Sequence, residues 1–264
     1  MKPIHHALVS ARLFGGTPED YVALHTAFDM SKAALGDMRH RAALHSVDHG
    51  SAVMQMIFPD QIGQASLKEL CRQHVDDDQG FQVTLEDWLN EARTPSWALV
   101  RNRPPAELAG FLENPALACV ARWGGRVEDY SSICAYYTLP EQMSQHALAP
   151  AISRNAFGIF FSEMAFGPAI RVQGPSGKSR YVATRDIGEC LALARFGRIL
   201  SLGEVLEGLA KKDWMMGARV ARSRQRRMRA AGRDDLFSDS MTGIGDQNPD
   251  ALHSEASVFS VLSD

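Results

Sequence analysis

Apolar positions along the chain recur at helical spacing and are interrupted by glycine pairs and prolines. From His5 to Leu13 a short helical pattern runs until Gly15-Gly16, a left-handed stop. Thr17-Pro18-Glu19-Asp20 restarts a helix, with a hydroxyl at the cap, proline at the first position and acids in the first turn. Tyr21, Leu24, His25 and Phe28 then fall at helical spacing. Apolar and small residues continue through Ala42, Leu44 and Ala52 to Phe58, where Pro59 ends the run. After a loop, Leu67 to Asp76 predicts a short helix. Thr84 with Asp87 opens another, which carries Trp88 and Leu89.

The pattern then repeats. Shifted by 109 positions, HHALVSARLFGGTPEDYVALHTAF lies over NPALACVARWGGRVEDYSSICAYY. Gly15-Gly16 meets Gly124-Gly125, and Glu19-Asp20-Tyr21 meets Glu128-Asp129-Tyr130. Further on, Gly50, Met56 and Phe58 meet Gly158, Met164 and Phe166, and Gly80, Leu85 and Leu89 meet Gly197, Leu202 and Leu206. Ser201 with Glu204 forms the capping box that matches Thr84 with Asp87. The excess length of the second copy falls in AIRVQGPSGKSRYVA, where alternating residues around Gly174-Pro175-Ser176-Gly177 predict a small β-hairpin. The expected fold class is all-α, a tandem duplication of a small helical domain with a hairpin in the second copy.

The organisation expected is a histidine-rich helical domain over residues 1–95, a linker over 96–113 and a degenerate helical copy over 114–210. A basic helix over 211–233 and an acidic, disordered tail over 234–264 follow. At 264 residues, with 45% hydrophobic and 22% charged residues, the chain has a globular composition, which excludes a collagen or a disulfide scaffold. No run of about 18 apolar residues exists, so no spanning helix is expected. The N-terminal MKPIHHAL has no apolar signal core, and no two of the four cysteines have the C-x-x-C spacing. A cytoplasmic protein with reduced thiols is the expectation.

Six of the nine histidines lie within the first 50 residues: His5, His6, His25, His40, His45 and His49, with His74 further on. His25 and Asp29 are four apart, as are His45 and His49, a spacing that points two helical side chains from one face. Imidazole and carboxylate together suit zinc, iron or manganese. His25, Asp29, His45 and His74 are the expected ligands, and His6 and His40 the expected further ligands or orienting groups. Any one of these histidines alone is more often an ordinary core or surface residue, and no sharp signature such as H-E-x-x-H is present. The second copy supplies an internal control. Its Asn114, Pro115, Cys134, Thr138 and Leu191 stand where the first has His5, His6, His25, Asp29 and His74. Scaffold residues persist while polar ones vanish together, which argues that the polar set works as a unit.

His5-His6, Phe14-Gly15-Gly16, Asp20-Tyr21, His25, Asp29, Arg39-His40-Arg41-Ala42, His45, Gln73-His74-Val75, Asp77, Gly80 and Asp87-Trp88-Leu89 together resemble a family of small bacterial and phage proteins, a domain of unknown function. The resemblance covers about residues 4–92. It implies a compact, mostly helical, histidine-rich domain that binds metal, with no established activity. The family has Phe-Gly where this chain has Phe58-Pro59, and a short hairpin before its Gln-His-Val that copy one is expected to have lost.

Residues 211–233 carry nine Lys/Arg against one Asp, and residues 234–264 carry seven acids and no Lys or Arg. Arg222, Arg224, Arg226, Arg227 and Arg229 are candidate contacts for nucleic acid, held nonspecifically through phosphates, or for an acidic partner. Two functions therefore compete, beside a purely structural interaction protein whose histidines form hydrogen-bond networks. One is a metal-dependent hydrolase in the first copy. The other is a non-catalytic binding module that uses the basic helix.

Overall fold

The structure is a computed structural model that describes residues 2–80, 82–99, 103–174 and 178–209. In copy one, α1 (Pro3–Phe14) and α2 (Pro18–Asp29) form an antiparallel pair. The chain continues through α3 (Ser31–Ala34), a 3₁₀ turn at Met38–His40, α4 (Arg41–Leu44) and α5 (His49–Gln55). A hairpin of β1 (Gln61–Ile62) and β2 (Ala65–Ser66) leads into α6 (Leu67–Gln79) and α7 (Leu85–Asn90). Two short helices, α8 (Ser96–Leu99) and α9 (Gly110–Glu113), fall in the segment expected as a linker.

Copy two repeats the order: α10 (Pro115–Trp123), α11 (Val127–Met143), α12 (Ala149–Ser153) and α13 (Ala156–Phe166). The antiparallel pair β3 (Ala169–Gln173) and β4 (Ser179–Ala183) follows, then α14 (Thr184–Phe196) and α15 (Leu202–Val205). The fold is all-α with two small hairpins, and it is a tandem duplication. The basic run with Arg222, Arg224, Arg226, Arg227 and Arg229, and the acidic residues beyond it, lie outside the described residues.

The same devices hold both copies. Tyr21 Oη donates to Gly15 O at 2.7 Å, and Tyr130 Oη donates to Gly124 O at 2.8 Å. Asp20 accepts from Thr17 N, and Asp129 from Arg126 N, each at 2.8 Å. Left-handed Gly80 and Gly197 end α6 and α14. One continuous apolar core runs through both copies, from Tyr21, Phe28 and Trp88 to Tyr130, Tyr137 and Phe161. Between them, Arg39 Nη1 donates to Leu206 O at 3.2 Å, and Trp97 meets Phe196 edge-on. No helix among the described residues is long and apolar enough to cross a membrane.

Two expectations need correction. Copy one has kept a minimal hairpin, with strands of two residues turning at Gly63 and Gln64. Such short strands leave no alternation to read. The apolar run from Tyr21 to Phe58 is also broken into several pieces. The decisive break is His45, whose backbone (φ −84°, ψ 65°) ends α4 and frees the chain to turn into α5. His45 and His49 therefore do not share a helical face. Arg154 ends α12 with nearly the same angles, −92° and 54°, so it is the structural counterpart of His45.

Candidate metal centre

Four side chains from three separate segments converge within copy one. Asp29 comes from the last turn of α2, His45 from the break after α4, and His74 and Asp78 from α6. One donor atom from each lies within 4.8 Å of every other. His45 Nε2 is 3.1 Å from His74 Nε2, 3.1 Å from Asp78 Oδ2 and 3.6 Å from Asp29 Oδ1. His74 Nε2 is 4.0 Å from Asp78 Oδ2. Metal–ligand bonds of about 2.0–2.1 Å in a tetrahedron place neighbouring donors about 3.3 Å apart. Such a set could hold one ion.

A closed ring of side chains supports this group. His74 Nδ1 is 2.9 Å from His25 Nδ1, and His25 Nε2 is 2.8 Å from Ser10 Oγ. Ser10 Oγ donates to Gln73 Oε1 at 2.5 Å, and Gln73 Nε2 donates to Asp77 Oδ2 at 2.5 Å. His6 Nδ1 is 3.1 Å from Asp77 Oδ2, and His6 Nε2 is 3.5 Å from Asp78 Oδ1. Asp78 then returns to His45. The tautomers follow from these bonds. Ser10 has one proton and two oxygen acceptors, Gln73 Oε1 and His6 O, so it must accept from His25 Nε2–H. Burial and the nearby His6 push His25 down to about 4, so its ring is neutral and Nδ1 carries a lone pair. His74 Nδ1–H donates to it. Burial holds His74 neutral as well, so its Nε2 lone pair faces the centre.

The carboxylates are charged. Burial opposes the charge on Asp29, but His45 and Lys32 outweigh it and hold the carboxyl below its usual range. Lys32 Nζ donates to Asp29 Oδ1 at 2.8 Å. Burial likewise opposes the charge on Asp78, and His45 and His6 draw its carboxyl far below the usual range. Arg41 Nη2 adds an ion pair at 3.1 Å. His74 is fully buried, and so is His45. Of the four, Asp29 alone lines a surface groove of about 360 Å³, with Lys2, Pro3, Thr26, Met30, Lys32 and Ala33.

Of the residues singled out from sequence, the structure brings Asp29, His45 and His74 together. It places His25 behind His74, outside the donor group. His6 lies tilted against His74, with ring centroids 4.2 Å apart, and pairs with Asp77 and Asp78 of α6. His40 turns Nδ1 to Asp37 O at 2.6 Å and sets its ring edge-on to His45. His5 is exposed. Asp78 is the donor that sequence reasoning missed. It stands four residues after His74, the same spacing that singled out His25 with Asp29.

A family model described as a domain of unknown function (DUF6915) matches residues 1–98 and again residues 113–215. The chain belongs to that family. The repeated match sets two DUF6915 domains in tandem. No curated protein matches the chain, and no solved structure does.

The second DUF6915 domain has lost the ring entirely. Leu191, Cys134, Cys119 and Cys190 stand in the places of His74, His25, Ser10 and Gln73. Ala194, Pro115, Arg195 and Arg154 stand in those of Asp77, His6, Asp78 and His45. Arg154 is buried and donates through Nη2 to Glu141 at 2.7 Å, and Glu141 is the counterpart of Lys32. A fixed guanidinium and an inverted charge occupy the region of the first domain's donors. If the ring orients His74 for a ligand role, Ser10→Ala and His25→Ala should each weaken metal affinity by about 10- to 100-fold. Competition with a chromogenic chelator measures this. Affinity within twofold of wild type in both variants would show that the ring does not tune His74.

Proposed function

We propose that the first DUF6915 domain binds one divalent transition metal through Asp29, His45, His74 and Asp78. The supporting observation is the convergence of four donors, two imidazole nitrogens and two carboxylate oxygens, within 4.8 Å of one another. Zinc, iron and manganese all accept this mixture. We favour metal-assisted hydrolysis over a purely structural staple because Asp29, one of the four, lines a surface groove. A metal with one open position lowers the pKa of a water it holds to near 7. The chain's own residues would bind the ion, hold His74 in its tautomer and exclude bulk water.

The test begins with elemental analysis of protein prepared without a histidine tag. Near-stoichiometric zinc, iron or manganese, lost in His45→Ala, supports the centre. Correctly folded protein that holds no metal, even after reconstitution, sinks it. Cobalt(II) substitution then separates hydrolase from staple. A visible spectrum that shifts when azide is added reports an open position, whereas an unchanged spectrum reports a closed set and removes the catalytic reading.

A further inference from the structure

The two domains dock on each other reciprocally, each setting one turn against the last helix of the other. In the first domain the turn at Asp37–Arg41 meets the end of α15, where Arg39 Nη1 donates to Leu206 O at 3.2 Å. Leu35, just before that turn, lies beside Gly203, where an added Cβ would sit 3.9 Å from Leu35 Cδ1. In the second domain the matching turn, 109 positions on, meets α7, where Ser144 Oγ donates to Glu86. The local geometry repeats as well. Asp37 Oδ1 accepts from Arg39 N at 3.1 Å, and its counterpart His146 accepts at Nδ1 from Leu148 N at 3.2 Å. The second domain has kept its docking while it lost its donors.

The turn of the first domain also reaches the donor group, through three consecutive residues. Arg39 is buried, and its guanidinium has two partners. Nε and Nη2 each donate to the Asp37 carboxylate at 2.8 Å, and Nη1 reaches Leu206. A planar guanidinium holds all these bonds at one orientation, so it fixes the turn against α15. The carbonyl of the same Asp37 accepts from His40 Nδ1 at 2.6 Å, which sets the His40 ring edge-on to His45 with centroids 5.6 Å apart. Arg41 donates through Nη1 to Asp78 O at 2.6 Å and pairs through Nη2 with Asp78 Oδ1 at 3.1 Å. A displaced turn therefore moves the neighbours of two donors, His45 and Asp78, at once.

We propose that the second domain positions the first domain's donor group through Arg39, a positioning residue that ties the Asp37–Arg41 turn to Leu206. The consequence for metal affinity rests on the proposed centre. Losing a group that orients a ligand costs about 10- to 100-fold in affinity, and Arg39 acts only through His40 and Arg41, so the lower end applies.

The experiment uses full-length protein and two variants that each break one contact between the domains. Arg39→Ala removes the Leu206 bond. Trp97→Ala lies outside the turn and removes the ring set against Phe196 with its Nε1 bond to Glu207 at 3.4 Å. Competition with a chromogenic chelator should show metal affinity about tenfold weaker in Arg39→Ala and within twofold of wild type in Trp97→Ala. In metal-free protein the imidazole proton–nitrogen correlation signals of His40 and His45 should move in Arg39→Ala and stay in place in Trp97→Ala. Arg39→Lys keeps a charge beside Asp37 but cannot serve both partners, so it should give the same pattern if the alanine variant does not fold. Wild-type affinity or unmoved signals in the arginine variants would overturn the proposal. So would an equal loss in Trp97→Ala, which would mean that any weakening of the domain contact acts alike. Wild-type protein that holds no metal sinks the centre alone, because the imidazole signals still decide the positioning.

Discussion

If the proposed centre holds a metal, replacing Asp78 with alanine should cost the protein that metal. A structural zinc site is worth about 10–16 kcal/mol, so one of four donors carries roughly 2.5–4 kcal/mol, or two to three decades of affinity. Asp78 does more than donate. Its oxygens stand 3.1 Å from His45 Nε2 and 3.5 Å from His6 Nε2, and Arg41 holds them from outside. Truncation therefore removes a donor, opens the ring and leaves Arg41 facing the centre without this anion. The loss in Asp78→Ala should exceed that in His25→Ala by about tenfold, because His25 acts only through His74. Isothermal titration of both variants checks the order. Equal losses would mean that the ring, rather than the four-donor group, holds the ion.

Why Asp78 escaped the sequence while Asp29, His45 and His74 did not is a question of helix length and context. The pattern predicts a helix over Leu67 to Asp76, which leaves Asp77 and Asp78 beyond its expected end. In fact α6 runs to Gln79 and closes at Gly80, which carries Asp78 round to the buried face. His74 with Asp78 is an i,i+4 pair that the helix boundary hid. The duplication was legible because glycine stops, caps and apolar anchors are local devices with local signatures. The ring was not, because Ser10, Gln73 and Asp77 become partners only when α1 folds against α6, and no spacing along the chain encodes that contact. The same holds for Arg154. Alignment by residue count leaves the counterpart of His45 open, and the backbone angles at the two helix ends resolve it.

Those helix ends also carry the largest stability effect. At Gly50 an added Cβ would sit 1.7 Å from Leu44 O, and at Gly158 it would sit 1.8 Å from Ser153 O. No side chain fits, because α5 and α13 each run back against the carbonyl that ends the preceding helix. Gly50→Ala and Gly158→Ala should each destabilise the protein by about 3–5 kcal/mol, the range of severe overpacking, and lower Tm by about 10 °C. The two variants should part in one respect. Gly50→Ala pushes on Leu44 and so displaces His45, the next residue, whose carbonyl accepts from Trp88 Nε1 at 2.9 Å. Metal affinity should fall with stability there. Gly158→Ala pushes on Ser153, beside Arg154 in the domain without donors, and should unfold the chain earlier while leaving the metal content of the folded fraction intact. Thermal denaturation with metal analysis of both variants makes the comparison. If both lose metal equally, the shared core couples the domains so tightly that the centre depends on the whole fold. If only Gly50→Ala does, the backbone break at His45 is the feature that aims its imidazole.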